Sequence, residues 1–191
     1  MGPTENIEKR IKRHVIGRHH VFYVSTLPGF ERTCLDELAG LGISVTEAKI
    51  ETGGIEFSGK VQDCYLANLH LRTANRILMR LTSFTAASFR QLEKKLSEFP
   101  WELYLYRDAV VTFSVTSRHS RLIHTDAIAQ RCKTGMENRL RLSGVSVKKK
   151  PDDPDLYPQQ IFVRAENDRF TLSIDSSGEL LHRRGVKRQG G

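Results

Sequence analysis

Apolar and polar positions along Val21-Phe22-Tyr23-Val24 form a β-branched and aromatic run that Pro28-Gly29 breaks, which predicts a strand and a turn. The period then changes. Phe30, Cys34, Leu35, Leu38 and Leu41 recur at helical spacing as far as Gly42, where a helix would stop. Val45 to Ile50 and Ile55-Glu56-Phe57 predict two short strands around Gly53-Gly54, a pair suited to a hairpin. Val61, Cys64, Tyr65 and Leu69 make a second helical stripe, and Ile77, Met79 and Leu81 alternate with Leu78, Arg80 and Thr82 as a strand does.

From Val21 to Phe84 the order is strand, helix, strand, strand, helix, strand, the ferredoxin-like arrangement in which both helices cover one sheet face. A second unit starts near Ser88, which can cap a helix, with Gln91 where a capping box places its Glu or Gln. Phe89, Leu92, Leu96 and Phe99 form that helix's apolar stripe, and Pro100 closes it. Val111, Phe113 and Val115 then predict a strand with one buried face. Thr125 reads as an N-cap with Asp126 in the first turn, leading Ile128, Cys132, Met136 and Leu140 along the longest helix. Two strands close the unit, Ile161 to Ala165 and Phe170 to Ile174, joined by the turn Glu166-Asn167-Asp168. The fold class is α+β.

Charge adds a direction to this picture. The chain carries 30 Lys plus Arg against 22 Asp plus Glu, a formal charge of +8, so an anionic partner is expected. Cations concentrate from Arg118 to Lys150, and the Lys148-Lys149-Lys150 loop extends them. The turn Ser120 to Thr125 leads into a helix N-terminus, whose free amides and dipole suit a phosphate or terminal nucleotide. Arg118 and Arg121 would supply the matching charge, with His124 beside them. A capped, solvated loop is the plainer reading of the same turn. The terminal run Leu181-His182-Arg183-Arg184-Gly185 is dense enough in cations to suit an RNA backbone, and equally describes a disordered charged end.

Other chemistry is poorly supplied. There is no Gly-x-x-x-x-Gly-Lys-Ser/Thr loop, no Gly-x-Gly-x-x-Gly after a strand and no Gly-x-Ser-x-Gly elbow, so neither a catalytic residue nor a cofactor site is read in this chain. Cys132 and His124 are two helical turns apart, which places them badly as nucleophile and base, and Cys132 reads as core. His19-His20 lacks further ligands at metal spacing. The three scattered cysteines fit a reducing cytoplasm, and no apolar run approaches the ~20 residues that cross a bilayer. Neither membrane nor metal is expected as a partner.

The residues Phe22 to Glu31, Leu35-Asp36-Glu37-Leu38, Gly53-Gly54, Ala67 to Arg76, Ser120 to Ile128 and Leu181 to Gly185 together resemble the amino-terminal half of the THUMP-containing RNA methyltransferases. The bacterial enzymes that methylate the exocyclic amine of guanine in large-subunit ribosomal RNA are the nearest in kind. This resemblance implies a ferredoxin-like domain at 19–86, a THUMP domain at 87–181 and a basic linker at 182–191 leading into a catalytic domain that this chain lacks. That domain would bind S-adenosylmethionine and carry an Asn-Pro-Pro-Tyr type motif. Residues 1–18 have no counterpart and read as a basic leader with the composition of a disordered segment. Ribosomal RNA is the expected partner, through a surface built from Arg118, Arg121, His124, Thr125, Lys148, Lys149, Lys150, Arg183 and Arg184. A transfer RNA modifying enzyme and a ribosome-assembly interaction module are the competing readings.

Overall fold

The computed structural model describes residues 3–145 and 158–183 of the chain. These residues divide into two units, and both are discontinuous in sequence. One unit comprises residues 19–80 and 175–183, the other residues 3–18 and 81–174.

The first unit follows the order read from the pattern: β1 (His20–Thr26), α2 (Glu31–Gly40), β2 (Lys49–Glu51), β3 (Gly54–Gly59), α3 (Val61–His70) and β4 (Ala74–Thr85), which passes into the second unit after Arg80; α1 (Pro3–Ile11) precedes them. Strand order is β2-β3-β1-β4, with β1 antiparallel to both β3 and β4. Phe22, Val24, Ile55, Phe57, Ile77 and Met79 point to one face and are buried, because alternate strand positions share a side. Phe22 stacks on Phe57 with ring centroids 5.3 Å apart. On α3 the inward stripe is Cys64 and Ala67, followed by the buried C-cap Leu71, whereas Tyr65 and Leu69, read from the sequence as part of it, are 63% and 70% exposed. They lie one residue and two residues out of phase with that stripe, about 100° and 200° around the helix.

Loop geometry explains the residues that carried the resemblance. Gly53 has φ +82°, and a Cβ on Gly54 would meet the Tyr23 side chain and stand 2.7 Å from the Val24 carbonyl oxygen, so the hairpin needs both glycines. Glu31 accepts the amides of Gly29 (2.8 Å) and Gly53 (2.7 Å), and the Gly53 bond leads the causes that hold its carboxyl below the usual range. Glu37 accepts from the Thr73 hydroxyl at 2.8 Å and from the amides of Arg72 and Thr73. Two carboxylates of one helix thus fix three loops.

Residues 175–183 rejoin this unit through side chains. Asp175 pairs with Arg76, which also donates to the Gly178 carbonyl at 3.0 Å. Ser177 accepts the Ile77 amide at 2.8 Å and donates to Asn68 Oδ1 at 2.8 Å, while Asn68 Nδ2 donates to Ser176 Oγ at 3.0 Å. Leu181 is buried within the 3₁₀ turn Leu181–Arg183.

The second unit contains α4 (Phe89–Glu98), β5 (Val111–Arg118), α5 (Thr125–Leu142), β6 (Gln159–Glu166) and β7 (Arg169–Asp175). Strand order runs β4-β7-β6-β5, with β5 parallel to β6 and β6 antiparallel to β7. The parallel pair requires the crossover that α5 provides. Ser88 caps α4 by accepting the Gln91 amide, and Gln91 Oε1 accepts the Ala87 amide at 2.8 Å. Gly135 allows α5 to lie against α4, since a Cβ there would stand 2.7 Å from Leu96 Cβ. Ile128, Cys132, Met136 and Leu140 are all buried on that inward stripe.

The leader is helical in this structure, contrary to the disordered segment its composition suggested. Residues Pro3–Ile11 form α1 and Lys12–Ile16 a π-helical turn. Arg10 donates to Glu102 at 2.9 Å, and Glu102 also receives two bonds from Arg139, so the leader is anchored to the second unit. The division between units falls after Arg80 instead of after 86, and residues 175–181 sit with the first unit, where the sequence reading had placed them in the second.

Candidate functional site

Three loops of the second unit meet at Asp168. The β6–β7 turn holds Asn167 and Asp168 at φ +52° and +61°, a conformation Asn and Asp tolerate better than most residues. The Asp168 carbonyl accepts the Ala86 amide at 3.0 Å, and its own amide donates to Ser120 Oγ at 3.1 Å. Its carboxylate accepts the Arg121 amide at 2.7 Å through Oδ1 and faces Arg121 Nε at 2.9 Å through Oδ2. The loops before α4 and before α5 are therefore tied to one residue.

Beside this knot lies an open cleft of about 620 Å³, lined by Thr85, Ala86, Ala87, Gln91, Lys94, Lys95, Glu98, Arg121 and Asp168. Lys94 also lines a neighbouring hollow of about 380 Å³ with Arg90, Glu93, Ser97 and Arg131. Glu93 is engaged by Arg131 at 2.9 Å, and Glu98 approaches Lys94 at 3.9 Å between exposed side chains. Lys95 and Arg90 have no ion pair among the described residues. The cleft combines mobile ammonium donors with one guanidinium held in a set direction, a combination suited to phosphate oxygens.

The sequence-read candidates distribute unevenly. Arg118 is exposed at the end of β5 and has no ion pair among the described residues. Arg121 reaches the cleft with 73% of its side chain exposed, but it is not a free cation, because Asp168 holds it. Thr125 is not the cap of α5: it is the first helical residue, His124 occupies the N-cap, and no side chain caps the helix. His124 and Thr125 are both exposed there, so the first-turn amides face outward without the expected hydroxyl partner. Arg183 is exposed and belongs to the other unit. Lys148, Lys149, Lys150 and Arg184 lie outside the described residues. Of the nine positions, the described residues of the second unit place Arg118 at the end of β5 and Arg121, His124 and Thr125 at the approach to α5.

Lys94, Lys95 and Gln91 were missed as site residues. Their signal was present: the α4 stripe Phe89, Leu92 and Leu96 leaves positions 91, 94, 95 and 98 on the opposite side of the helix. The cysteines offer no nucleophile. Burial raises all three thiols, Cys132 to about 12, while side-chain hydrogen bonds between Cys34 and Thr73 and between Cys64 and both Ser176 and Asn68 offset part of the effect on those two. No helix of the described residues is long and apolar enough to cross a membrane.

Comparison with known proteins agrees with the first unit and extends beyond it. Residues 21–78 match the family described as the RlmL ferredoxin-like domain. The chain is 33% identical over 90% of its length to the ribosomal RNA large subunit methyltransferase K/L of Allochromatium vinosum, and 31% identical over 89% to that of Methylococcus capsulatus. It covers 23% and 22% of those two proteins. Among solved structures, a Listeria monocytogenes protein described as a predicted N6-adenine-specific DNA methylase matches 92% of this chain at 28% identity and TM-score 0.76, with 45% of that protein covered. TrmN from Thermus thermophilus, at 17% identity and TM-score 0.66, matches 87% of the chain and shares the fold. The chain spans less than a quarter of the length of the curated relatives it matches, and its residues 21–78 are similar to the RlmL ferredoxin-like domain.

Proposed function

We propose that this chain is the RNA-binding portion of a methyltransferase that acts on the exocyclic amine of guanine in large-subunit ribosomal RNA, with residues 81–174 serving as its THUMP module. The observation that carries the reading is the similarity to ribosomal RNA large subunit methyltransferases over nine-tenths of the chain. The cleft of Lys94, Lys95 and Arg121, next to the uncapped start of α5, supports a phosphate-binding role. Methyl transfer itself, with S-adenosylmethionine as donor, is assigned to polypeptide beyond this region, since the relatives are about four times longer than their matched part.

Phosphate contacts supply affinity and make it salt dependent, by about 0.7 in log–log slope for each contact with a single strand. Fluorescence polarisation of labelled ribosomal RNA fragments at two salt concentrations should show this dependence, and a Lys94→Ala/Lys95→Ala variant should bind more weakly with a slope shallower by roughly 1.4. An unchanged affinity and slope in that variant would remove the cleft. Equal binding to a DNA duplex would overturn the choice of RNA, which the name of the Listeria protein makes a necessary control.

A further inference from the structure

The leader places a second set of cations on the same unit, on the helix that Arg10 ties to Glu102. Ile7, Ile11 and Val15 are half-buried, and the Arg10–Glu102–Arg139 cluster fixes the helix, leaving Lys12, Arg13 and Arg18 exposed. Arg107 and Tyr106 are exposed on the loop after the 3₁₀ turn Trp101–Leu103, the element that contains Glu102. Burial pushes the Tyr104 phenol up, and the charge of Arg18 partly offsets this. Lys12, Arg13, Arg18 and Arg107 have no ion pair among the described residues. The acidic residues of the two segments, Glu5, Glu8 and Asp108, are fewer than these four cations.

We infer that the leader and the Tyr106–Arg107 loop form a second RNA-backbone contact, with Tyr106 available for base stacking. This rests on the RNA reading above. A cationic arm held by a buried ion pair has already lost its freedom before RNA arrives, so less is lost on binding than with a loose tail. Exposed aromatic rings among cations are the usual equipment for unstacked bases.

The separation of the two contacts sets a length requirement. Arg121 in the cleft immediately precedes α5, whereas Arg139 near its far end belongs to the leader's anchor. The helical rise from Thr125 to Arg139 is about 21 Å, so only an RNA long enough to span that distance engages the start of α5 and the anchor together. An RNA shorter than this reaches one contact only.

The test uses the full chain and fluorescence polarisation with single-stranded RNAs of about four and about twenty nucleotides. Lys12→Ala/Arg13→Ala should weaken the longer RNA by roughly tenfold and reduce its salt slope by about 1.4, while binding of the shorter RNA stays as in the wild type. A longer RNA that binds this variant like wild type, while Lys94→Ala/Lys95→Ala weakens it, overturns the leader contact and leaves the RNA reading standing. Wild-type binding by both variants overturns the two together. Both leader side chains are exposed, and matching thermal midpoints verify that the variant is folded.

Discussion

Glu102 and Arg139 form a two-point ion pair across the second unit: Arg139 Nη2 donates to Oε1 at 2.7 Å and Nε to Oε2 at 3.0 Å, with the Glu102 side chain 1% exposed. Removing one partner of a buried pair typically costs 3–5 kcal/mol. Arg139 and Arg10 are partly exposed and can hydrate when left alone, so the lower end applies. Glu102→Ala should lose about 3 kcal/mol in urea denaturation, and the leader should become more susceptible to proteolysis.

The same carboxylate makes stability depend on acid. Burial acts to raise its pKa, but the hydrogen bonds from Arg139, its own backbone and Arg10 outweigh burial and hold it at about 2, against 4.5 for a free glutamate. A depressed folded-state pKa means the stabilisation is present in full above about 4.5 and is lost as pH falls toward 2. Urea midpoints at neutral pH and near pH 3 should differ more for wild type than for Glu102→Gln.

Gly135→Ala sets two effects against each other. Helix propensity favours alanine by about 1 kcal/mol. The new Cβ would stand 2.7 Å from Leu96 Cβ and 3.1 Å from the Glu93 carbonyl, groups on a packed helix that cannot rotate away. Overpacking of this kind costs about 1–3 kcal/mol, so a net loss is expected in thermal denaturation.

Asp168→Ala removes the acceptor of the Arg121 amide and the partner of its guanidinium, and frees Arg121 to swing. Stability should fall by about 1–2 kcal/mol, the range for unmade hydrogen bonds of this type. RNA affinity should fall as well, despite the gain of one unit of positive charge. Tighter binding by this variant would indicate that Asp168 acts by repulsion and not by orienting Arg121.

Periodicity carried the core faithfully: Ile128, Cys132, Met136 and Leu140 are buried as spaced, and the Ser88–Gln91 capping pair is present. Tyr65 and Leu69 misled because an apolar residue one or two positions off the stripe still scores as helical spacing. Thr125 misled because Thr at a helix start fits both the cap and the first turn. Lys94 and Lys95 gained meaning only once Asp168, distant in sequence, brought Arg121 to the same cleft. The leader's helix depends on a carboxylate about 90 residues away, and no local pattern announces such a partner.

The stitching of Asp175, Ser176 and Ser177 to Arg76, Asn68 and Ile77 has a consequence for biosynthesis. During vectorial translation, the unit of residues 19–80 cannot be completed when Arg80 has been made. Its helix α3 waits for a serine pair that emerges only after the intervening module has been made. A gene fragment stopped at the end of β4 would yield a protein with Asn68 and the Ile77 amide deprived of their partners, so expression boundaries for this region should be drawn beyond Leu181.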